Sequence, residues 1–474
     1  MEEKIVSIFA KALGHKEMSI DDDFFENGGT SLSASKVAML AMSMNLPIAY
    51  KDVFEFPTAE AMAAHLGAVK AAPAPEKKAE EARSTSEGAL RCNTAEHVDE
   101  ISATRPLGRV LLTGATGFLG SHVFQNLLKR GVSMVVLSRA SGQVDAETRL
   151  RALAAYYFDS PLEDEITKLV KVCDADITDP GLADLLAQEQ IDTVINCAAV
   201  VKHFAKDDII ERINVGGVKN LIALAKAKDA RLIQVSTLSV AGEDVDNAIG
   251  LSYRLKEDTL DFGQDISNKY VHSKYMAEKA VLEAIDGGLD AKIFRVGNLM
   301  GRQSDGEFQI NSVTNSFIRN LKAYLVLGCF PVSACDETVD FSPIDEVAET
   351  ILRLAETDAK FTLFHCANAH EVQMGDVIEA MNRYGFAIDI VKDAEFQRRL
   401  SEAVEDESRN MMVSGLLTYS SKDGHERREI RTDNTFSIKA LYRLGYKWPI
   451  TDEAYLVRVI GSLDSLGFFD RSDI

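Results

Sequence analysis

Residues Arg109 to Gly131 read RVLLTGATGFLGSHVFQNLLKRG, and this stretch decides the fold of most of the chain. A short apolar run ends at Thr113, three glycines follow three apart at Gly114, Gly117 and Gly120, and the apolar residues beyond them recur at helical spacing. The pattern predicts a strand, a tight turn and a helix. Further Val, Ile and Leu runs lie at Met134–Leu137, Leu169–Val172, Thr193–Asn196, Leu232–Val235 and Lys292–Val296, with helical stretches between them. That alternation predicts a doubly wound parallel sheet with helices on both faces, its core mainly in residues 106–300. After about Ala355 the pattern becomes irregular and partly helical, with a polar stretch at Ser420–Asp433, and residues 355–474 are expected to form most of a C-terminal subdomain.

Upstream, Ala68 to Arg105 is rich in Ala, Glu, Lys and Ser and carries Pro73 and Pro75, a composition that buries little and reads as a semi-extended linker over 68–105. It divides the chain into a small unit, 1–67, and a large one, 106–474. In the small unit Ile5, Ile8, Phe9 and Leu13 mark a helix over Glu2–Leu13, a second is expected from Ser31 to Met42, and a third from Thr58 to Leu66 with Thr58 as its cap. Residues 1–66 hold five basic and ten acidic side chains. The whole chain of 474 residues has 52 basic and 73 acidic side chains, a net −21, which excludes a nucleic-acid-coating or polybasic membrane role. Its six cysteines show no C-x-x-C spacing, which predicts no metal site or disulfide framework and a reducing compartment. No export signal and no run of apolar residues long enough to span a bilayer is visible, so a cytoplasmic monomer is expected.

A glycine pattern alone is weak evidence, but here a strand precedes it and a helix follows, the context that a dinucleotide needs. Gly114 would permit the turn, Gly117 the approach of backbone to a pyrophosphate, and Gly120 close helix packing, with Thr116, Phe118 and Leu119 completing the cradle. The spacing G-x-x-G-x-x-G resembles that of extended short-chain dehydrogenases and predicts a Rossmann-like unit. Nineteen residues beyond Gly120 the second strand ends in Ser138-Arg139, where an NAD site would place an acid. An arginine there suits a 2′-phosphate, which points to NADPH, with Arg149 as a second contact. The superfamily resemblance implies that Asp176 and Ile177 lie beside the adenine and Asn196 and Ala198 beside the cofactor ribose.

Tyr270-Val271-His272-Ser273-Lys274 puts a tyrosine and a lysine four residues apart on one helical face. An ammonium near a phenol favours its ionised form, so Lys274 is expected to lower the Tyr270 pKa and to bind the nicotinamide ribose. Thr237, ending the fifth strand, would add a second hydroxyl donor.

Two family resemblances rest on these residues. Asp23-Phe24-Phe25-Glu26-Asn27-Gly28-Gly29-Thr30-Ser31-Leu32, with the Lys51–Phe54 segment, Pro57 and Thr58, resembles a peptidyl carrier domain of non-ribosomal peptide synthetases. That resemblance implies 4′-phosphopantetheine on Ser31, attached by a phosphopantetheinyl transferase. Val110–Gly120, Asn196–Ala199, Asn214–Gly217, Val235–Val240, Tyr270–Lys274, Phe294–Asn298 and Phe341–Asp345 together resemble the terminal thioester reductase domains of such synthetases and of carboxylic acid reductases. The resemblance adds Gly297 and Asn298 to the cofactor set. It implies reductive release of a carrier-bound acyl or peptidyl thioester as an aldehyde, or further to an alcohol, with upstream condensation and adenylation modules in cis or trans. The alternatives are a non-redox release domain of the Dieckmann type, against which Tyr270 and Lys274 speak, and a carrier-interaction module. A nucleotide-sugar epimerase would share the sheet but not the fused carrier.

Overall fold

The computed structural model describes residues 1–14, 18–44, 46, 48, 50–71, 87–158, 162–201, 208–245, 249, 253–406, 409–417 and 427–469. The small unit is built from α1 (Glu2–Leu13), α2 (Ser31–Ser43), α3 (Tyr50–Glu55) and α4 (Ala59–Ala71). α1 turns Ile5, Ile8, Phe9 and Ala12 inward at helical spacing, and these meet Phe24, Val37, Val53 and Met62 in one core. Phe9 and Phe24 pack with ring centroids 4.9 Å apart. Thr30 and Ser33 cap the start of α2 reciprocally: the Ser33 N–H donates to the Thr30 hydroxyl at 3.2 Å, and the Thr30 N–H to Ser33 Oγ at 2.7 Å. The cap is therefore Thr30, and Ser31 is the first residue of the helix. Thr58 caps α4 as expected, accepting from the Ala61 N–H at 3.1 Å. The sequence reading counted three helices; α3 is a fourth, too short for periodicity to reveal, that buries Val53.

The large unit holds a seven-stranded parallel sheet: β1 (Val110–Thr113), β2 (Met134–Ser138), β3 (Val170–Asp174), β4 (Thr193–Asn196), β5 (Arg231–Thr237), β6 (Ala291–Val296) and β7 (Leu363–Cys366). Their order is β7-β6-β5-β4-β1-β2-β3, so the winding direction reverses between β1 and β4. In such sheets the crevice at the reversal, at the carboxyl ends of the strands, is where ligands bind. Alternate side chains of β1 face opposite layers: Val110 and Leu112 join a core with Phe124 and Ile351, while Leu111 joins one with Val194 and Leu221. Burial on both faces explains why these strands read as unbroken aliphatic runs. α5 (Phe118–Lys129) follows β1, α6 (Gly217–Lys228) lies between β4 and β5, and α7 (Lys269–Asp286) between β5 and β6.

Three expectations are corrected. β7 lies beyond Ala355 in the region read as irregular; its His365 broke the apolar run, yet the imidazole is fully buried, with Nδ1 2.8 Å from the Asp433 carbonyl and Nε2 3.2 Å from Arg295. The segment read as linker is folded over 87–105: Leu90, Val98 and Ile101 are buried, and the Asn93 amide donates at 2.7 Å to the Leu363 carbonyl. The distal subdomain does not begin near 355. Ser316–Leu327, Met374–Tyr384, Asp393–Glu405, α8 (Asn410–Leu417) and Glu453–Ser465 build it around cores containing Phe308, Phe330 and Tyr455, or Phe396 and Val413. Phe436, Leu441 and Trp448 return to the sheet core. The polar stretch lies outside the described residues to 426; 427–429 and 431–432 are short strands paired with Glu243–Val245 and Arg254–Leu255.

Glu257 joins these pieces. Its backbone carbonyl accepts from Asn93, its carboxylate from the Ser437 N–H at 3.0 Å, and burial pushes its pKa up to about 7. A carboxyl raised on folding contributes stability that is complete at low pH and lost as pH rises through the folded value. Its ionisation weighs on the fold by roughly 3 kcal/mol above neutrality. Glu257→Gln, which keeps the acceptor and cannot ionise, should therefore gain melting temperature relative to the wild type between about pH 5 and pH 8. An unchanged difference across that range contradicts the assignment.

Candidate active site

The cofactor-loop residues stand at the reversal crevice. Gly114 follows β1 at φ 73°, a conformation open to glycine, and a Cβ there would lie 2.5 Å from the Ala198 nitrogen. A Cβ on Gly120 would overlap the Gly114 carbonyl oxygen. The two stretches can approach this closely only without side chains, and that approach aims the start of α5 at the crevice. Gly117 is the N-cap of α5 and offers no side chain to the first N–H groups of the helix. Thr116 and Phe118 are half-buried and Leu119 is buried. A glycine cradle around an uncapped helix N-terminus fits a dinucleotide pyrophosphate. Phe118 also packs against Phe308 of the distal subdomain, ring centroids 5.4 Å apart.

Beyond β2, Arg139 Nη1 donates to Asp176 Oδ2 at 2.9 Å, and Arg149 Nη1 donates to the Arg139 carbonyl at 3.2 Å. Two guanidinium groups thus gather at the end of β2. Burial works to raise the Asp176 pKa, but hydrogen bonds from Thr178 and the contact with Arg139 hold it below the usual carboxylate range. Ile177 is buried and packs on the start of α6, where a Cβ at Gly217 would meet its Cδ1 at 2.6 Å.

Asn196 has a different task from the one its position suggested. It is fully buried, and its Oδ1 accepts from Thr113 Oγ1 at 2.5 Å and from the Ala198 N–H at 3.1 Å, while its Nδ2 donates to Gln234 Oε1 at 2.9 Å. Its amide ties the ends of β1 and β4 to the middle of β5 and leaves the crevice wall to the backbone around Ala198. After β6, the Asn298 N–H donates to Asp340 Oδ2 at 2.7 Å, and that carboxylate fills the space a side chain on Gly297 would need.

The hydroxyl and amine groups converge where β5 meets α7. Asn268 caps α7, its Oδ1 accepting from the Tyr270 and Val271 N–H groups. Lys274 is buried and donates to the Val235 carbonyl at 2.9 Å. Two residues along β5 from Val235 is Thr237, and one turn back along α7 from Lys274 is Tyr270, so the Thr237 hydroxyl stands beside the Tyr270 phenol and acts to lower its pKa. The electrostatics differ from expectation. Burial dominates and pushes the Tyr270 phenol up to about 12, with the Thr237 bond acting the other way. Burial also lowers Lys274 to about 8, against the pull of Glu278 and Cys197, and raises the Cys197 thiol to about 12. At neutral pH Tyr270 is a protonated phenol, a donor.

Sequence reasoning gave no role to two residues that hold this arrangement. Asn214, in a π-helical turn before α6, accepts from the Val200 N–H at 2.8 Å and donates to Ser273 Oγ at 3.0 Å, clamping the segment after β4 to α7. Asp340 holds the strand end after β6. The chain order of both was visible, but their partners are tertiary. Among the described residues no group of three or more His, Cys, Asp or Glu is placed to hold a metal, and no helix is long and apolar enough to cross a membrane. All six cysteines are free. On the small unit, α2, which begins at Ser31, packs against α8 of the distal subdomain.

Comparison with known proteins bears on the whole chain. Residues 112–351 match the NAD-binding family described as male sterility protein, and residues 3–66 match the phosphopantetheine attachment site family. A thiolation-reductase di-domain from an archaeal non-ribosomal peptide synthetase superposes with a TM-score of 0.85 at 35% identity, over 99% of this chain and 98% of that one. The reductase domain of the aureusimine biosynthetic cluster gives 0.66 at 28% identity over 77% of this chain and 92% of its own. A linear gramicidin synthase polypeptide of Brevibacillus parabrevis is 26% identical over 95% of this chain, and the L-2-aminoadipate reductase large subunit of Candida glabrata 25% over 88%. The chain spans only 9% and 32% of those two relatives. With a carrier fold, a reversal crevice lined by a glycine cradle and a Tyr/Lys/Thr cluster in one polypeptide, the chain belongs to the thiolation-reductase di-domains of non-ribosomal peptide synthetases, its reductase half being of the male sterility protein type.

Proposed function

We propose that this di-domain releases a carrier-bound acyl or peptidyl thioester by reduction to an aldehyde, with an alcohol as the product of a second round. The observation that carries the reading is the meeting of Thr237 and Tyr270 hydroxyls beside a buried lysine, at the mouth of a dinucleotide crevice, in a chain that also bears a carrier. Ser31 is the attachment site for 4′-phosphopantetheine added by a phosphopantetheinyl transferase. NADPH, when bound, supplies the hydride, and the pantetheine arm presents the acyl carbonyl. Gly114, Thr116, Gly117, Phe118, Leu119 and Gly120 would hold the pyrophosphate, Arg139 and Arg149 the 2′-phosphate, Asp176 and Ile177 the adenine edge, and Ala198, Gly297 and Asn298 the nicotinamide end. Arg139 uses only Nη1 for Asp176, so its remaining donors suit a phosphate.

The Thr237 and Tyr270 hydroxyls donate to the carbonyl oxygen, and their bonds strengthen as negative charge gathers there. Lys274, anchored on Val235, orients the ribose and keeps Tyr270 in register. Upstream condensation and adenylation modules, in cis or trans, load the carrier, and the di-domain works as a cytoplasmic monomer. The Dieckmann alternative needs no donor matched to a hydride acceptor and leaves Tyr270 without a task.

The test follows NADPH oxidation with an octanoyl-pantetheine thioester while the product is trapped chemically. Tyr270→Phe should retain its melting temperature and cofactor affinity and lose about 10²- to 10³-fold in turnover. Turnover near that of the wild type would remove the role assigned to this hydroxyl. Arg139→Ala should weaken NADPH binding by roughly ten- to a hundredfold and leave NADH binding unchanged, as measured by titration calorimetry. Equal affinity of the wild type for the two cofactors contradicts the 2′-phosphate assignment.

A further inference from the structure

Reduction of a thioester consumes a proton as well as a hydride. A C–H bond forms at the carbonyl carbon, the C–S bond breaks with its electron pair on sulfur, and the departing thiolate must be protonated: RC(O)SR′ + NADPH + H⁺ gives RCHO + R′SH + NADP⁺. A second reduction to the alcohol takes another proton. Tyr270 can give one proton, but at 8% exposure it cannot recover it directly from solvent. Lys274, 5% exposed and hydrogen-bonded to the Val235 carbonyl, is equally enclosed.

The hydroxyls continue outward from Tyr270. Its neighbour Thr237 is 9% exposed, and Thr237 Oγ1 donates at 3.1 Å to the hydroxyl of Ser239, which is exposed. The local fold enforces this. β5 ends at Thr237 and the chain enters a 3₁₀ turn over Leu238–Ala241, in which Thr237 Oγ1 also accepts from the Ser239 backbone N–H at 3.1 Å. The turn therefore holds the Ser239 hydroxyl against that of Thr237.

We propose that Ser239, Thr237 and Tyr270 form a hydroxyl chain that carries protons from solvent to the reacting carbonyl oxygen, with Ser239 as its solvent-side end; in the first reduction that proton passes on from oxygen to the departing sulfur as the C–S bond breaks, and in the second it stays as the alcohol O–H. Without substrate and with Tyr270 neutral, the chain donates outward from Tyr270 to Thr237 to Ser239; a bound carbonyl oxygen takes the Tyr270 and Thr237 donors in their place. Once Tyr270 has given up its proton, Thr237 donates to the phenolate, Ser239 to Thr237 and water to Ser239. Each oxygen gains and loses one proton and the chain returns to its starting charge. The titratable groups around Tyr270 are Lys274, one turn along the same helix, and the Glu278 and Cys197 that face that ammonium. Ser239 is a positioning and relay residue, and its backbone bond survives its replacement by alanine.

The inference rests on the reductive reading for its substrate, but it has a readout that needs no turnover. In the full chain without cofactor, the Tyr270 phenolate is titrated by ultraviolet difference absorbance, with Tyr270→Phe as the blank. Ser239→Ala should raise that pKa by roughly half to one unit, because the Thr237 hydroxyl loses the donor that supports it against the phenolate. With octanoyl-pantetheine thioester, Ser239→Ala should lower kcat by about tenfold or more with KM within about twofold, and Ser239→Thr should restore both readouts. An unchanged phenolate titration overturns the proposal. So does a change in KM alone, which would make Ser239 a substrate contact, or a kcat loss that threonine does not rescue. Absence of NADPH oxidation by the wild type contradicts the reductive reading instead, and leaves the titration to decide the chain on its own.

Discussion

One hydrogen bond, from the Lys274 ammonium to the Val235 carbonyl, sets the geometry of the active centre. β4 stops at Asn196, opposite Gln234, so the ladder on that side of β5 ends one residue short of Val235. Lys274 and the Gln234 side chain both donate to the Val235 carbonyl. A step of two residues on a strand and a step of one helical turn are of similar length, about 6 Å. Fixing Lys274 on Val235 therefore brings Tyr270 to Thr237. A lysine this deeply buried must be satisfied by such an acceptor, and its lowered pKa shows how much solvation it gave up.

The rest of the reductase half can be seen as support for that register. Asn196 ties the ends of β1 and β4 to the middle of β5, Asn214 clamps α7 to the segment after β4, and Asp340 braces the turn after β6. Further along α7, Glu278 is fully buried and paired with Arg295 of β6 at 2.8 Å, which locks the helix to the adjacent strand. Breaking one partner of such a pair strands a buried charge, so the helix has little freedom to slide. The close approach at Gly114 and Gly120 completes the frame by bringing the uncapped end of α5 to the same crevice.

Much of this was legible because it rests on local physics. The glycine turn after β1, six of the seven sheet strands and the helical face shared by Tyr270 and Lys274 follow from backbone conformation and side-chain period. The carrier unit was recognisable because Asp23–Leu32 resembles the motif of peptidyl carrier domains. What was hidden depends on distant partners. His365 is polar by sequence yet fully buried, since Asp433 and Arg295 satisfy its ring. Asn93 and its neighbours looked like linker, because they are fastened by hydrogen bonds to Leu363 and Thr362 and by a few buried apolar residues, Leu90, Val98 and Ile101, too sparse to set a period. Asn196 lay in the right loop, but only the fold shows its amide already engaged. The Tyr270 pKa followed the same rule: spacing showed the lysine, whereas burial, which spacing does not reveal, dominates.

The account's central claim is that the acyl chain carried on Ser31 is the substrate of the Tyr270 centre. A single turnover measures this directly: the chain is loaded with octanoyl-phosphopantetheine, freed of excess reagent and mixed with NADPH, while cofactor oxidation and the released product are followed together. The account predicts that one NADPH is oxidised for each aldehyde released, or two for each alcohol, with no oxidation by the chain lacking the pantetheine arm. Release of the acyl group, or its retention on the carrier, with NADPH left intact would contradict it.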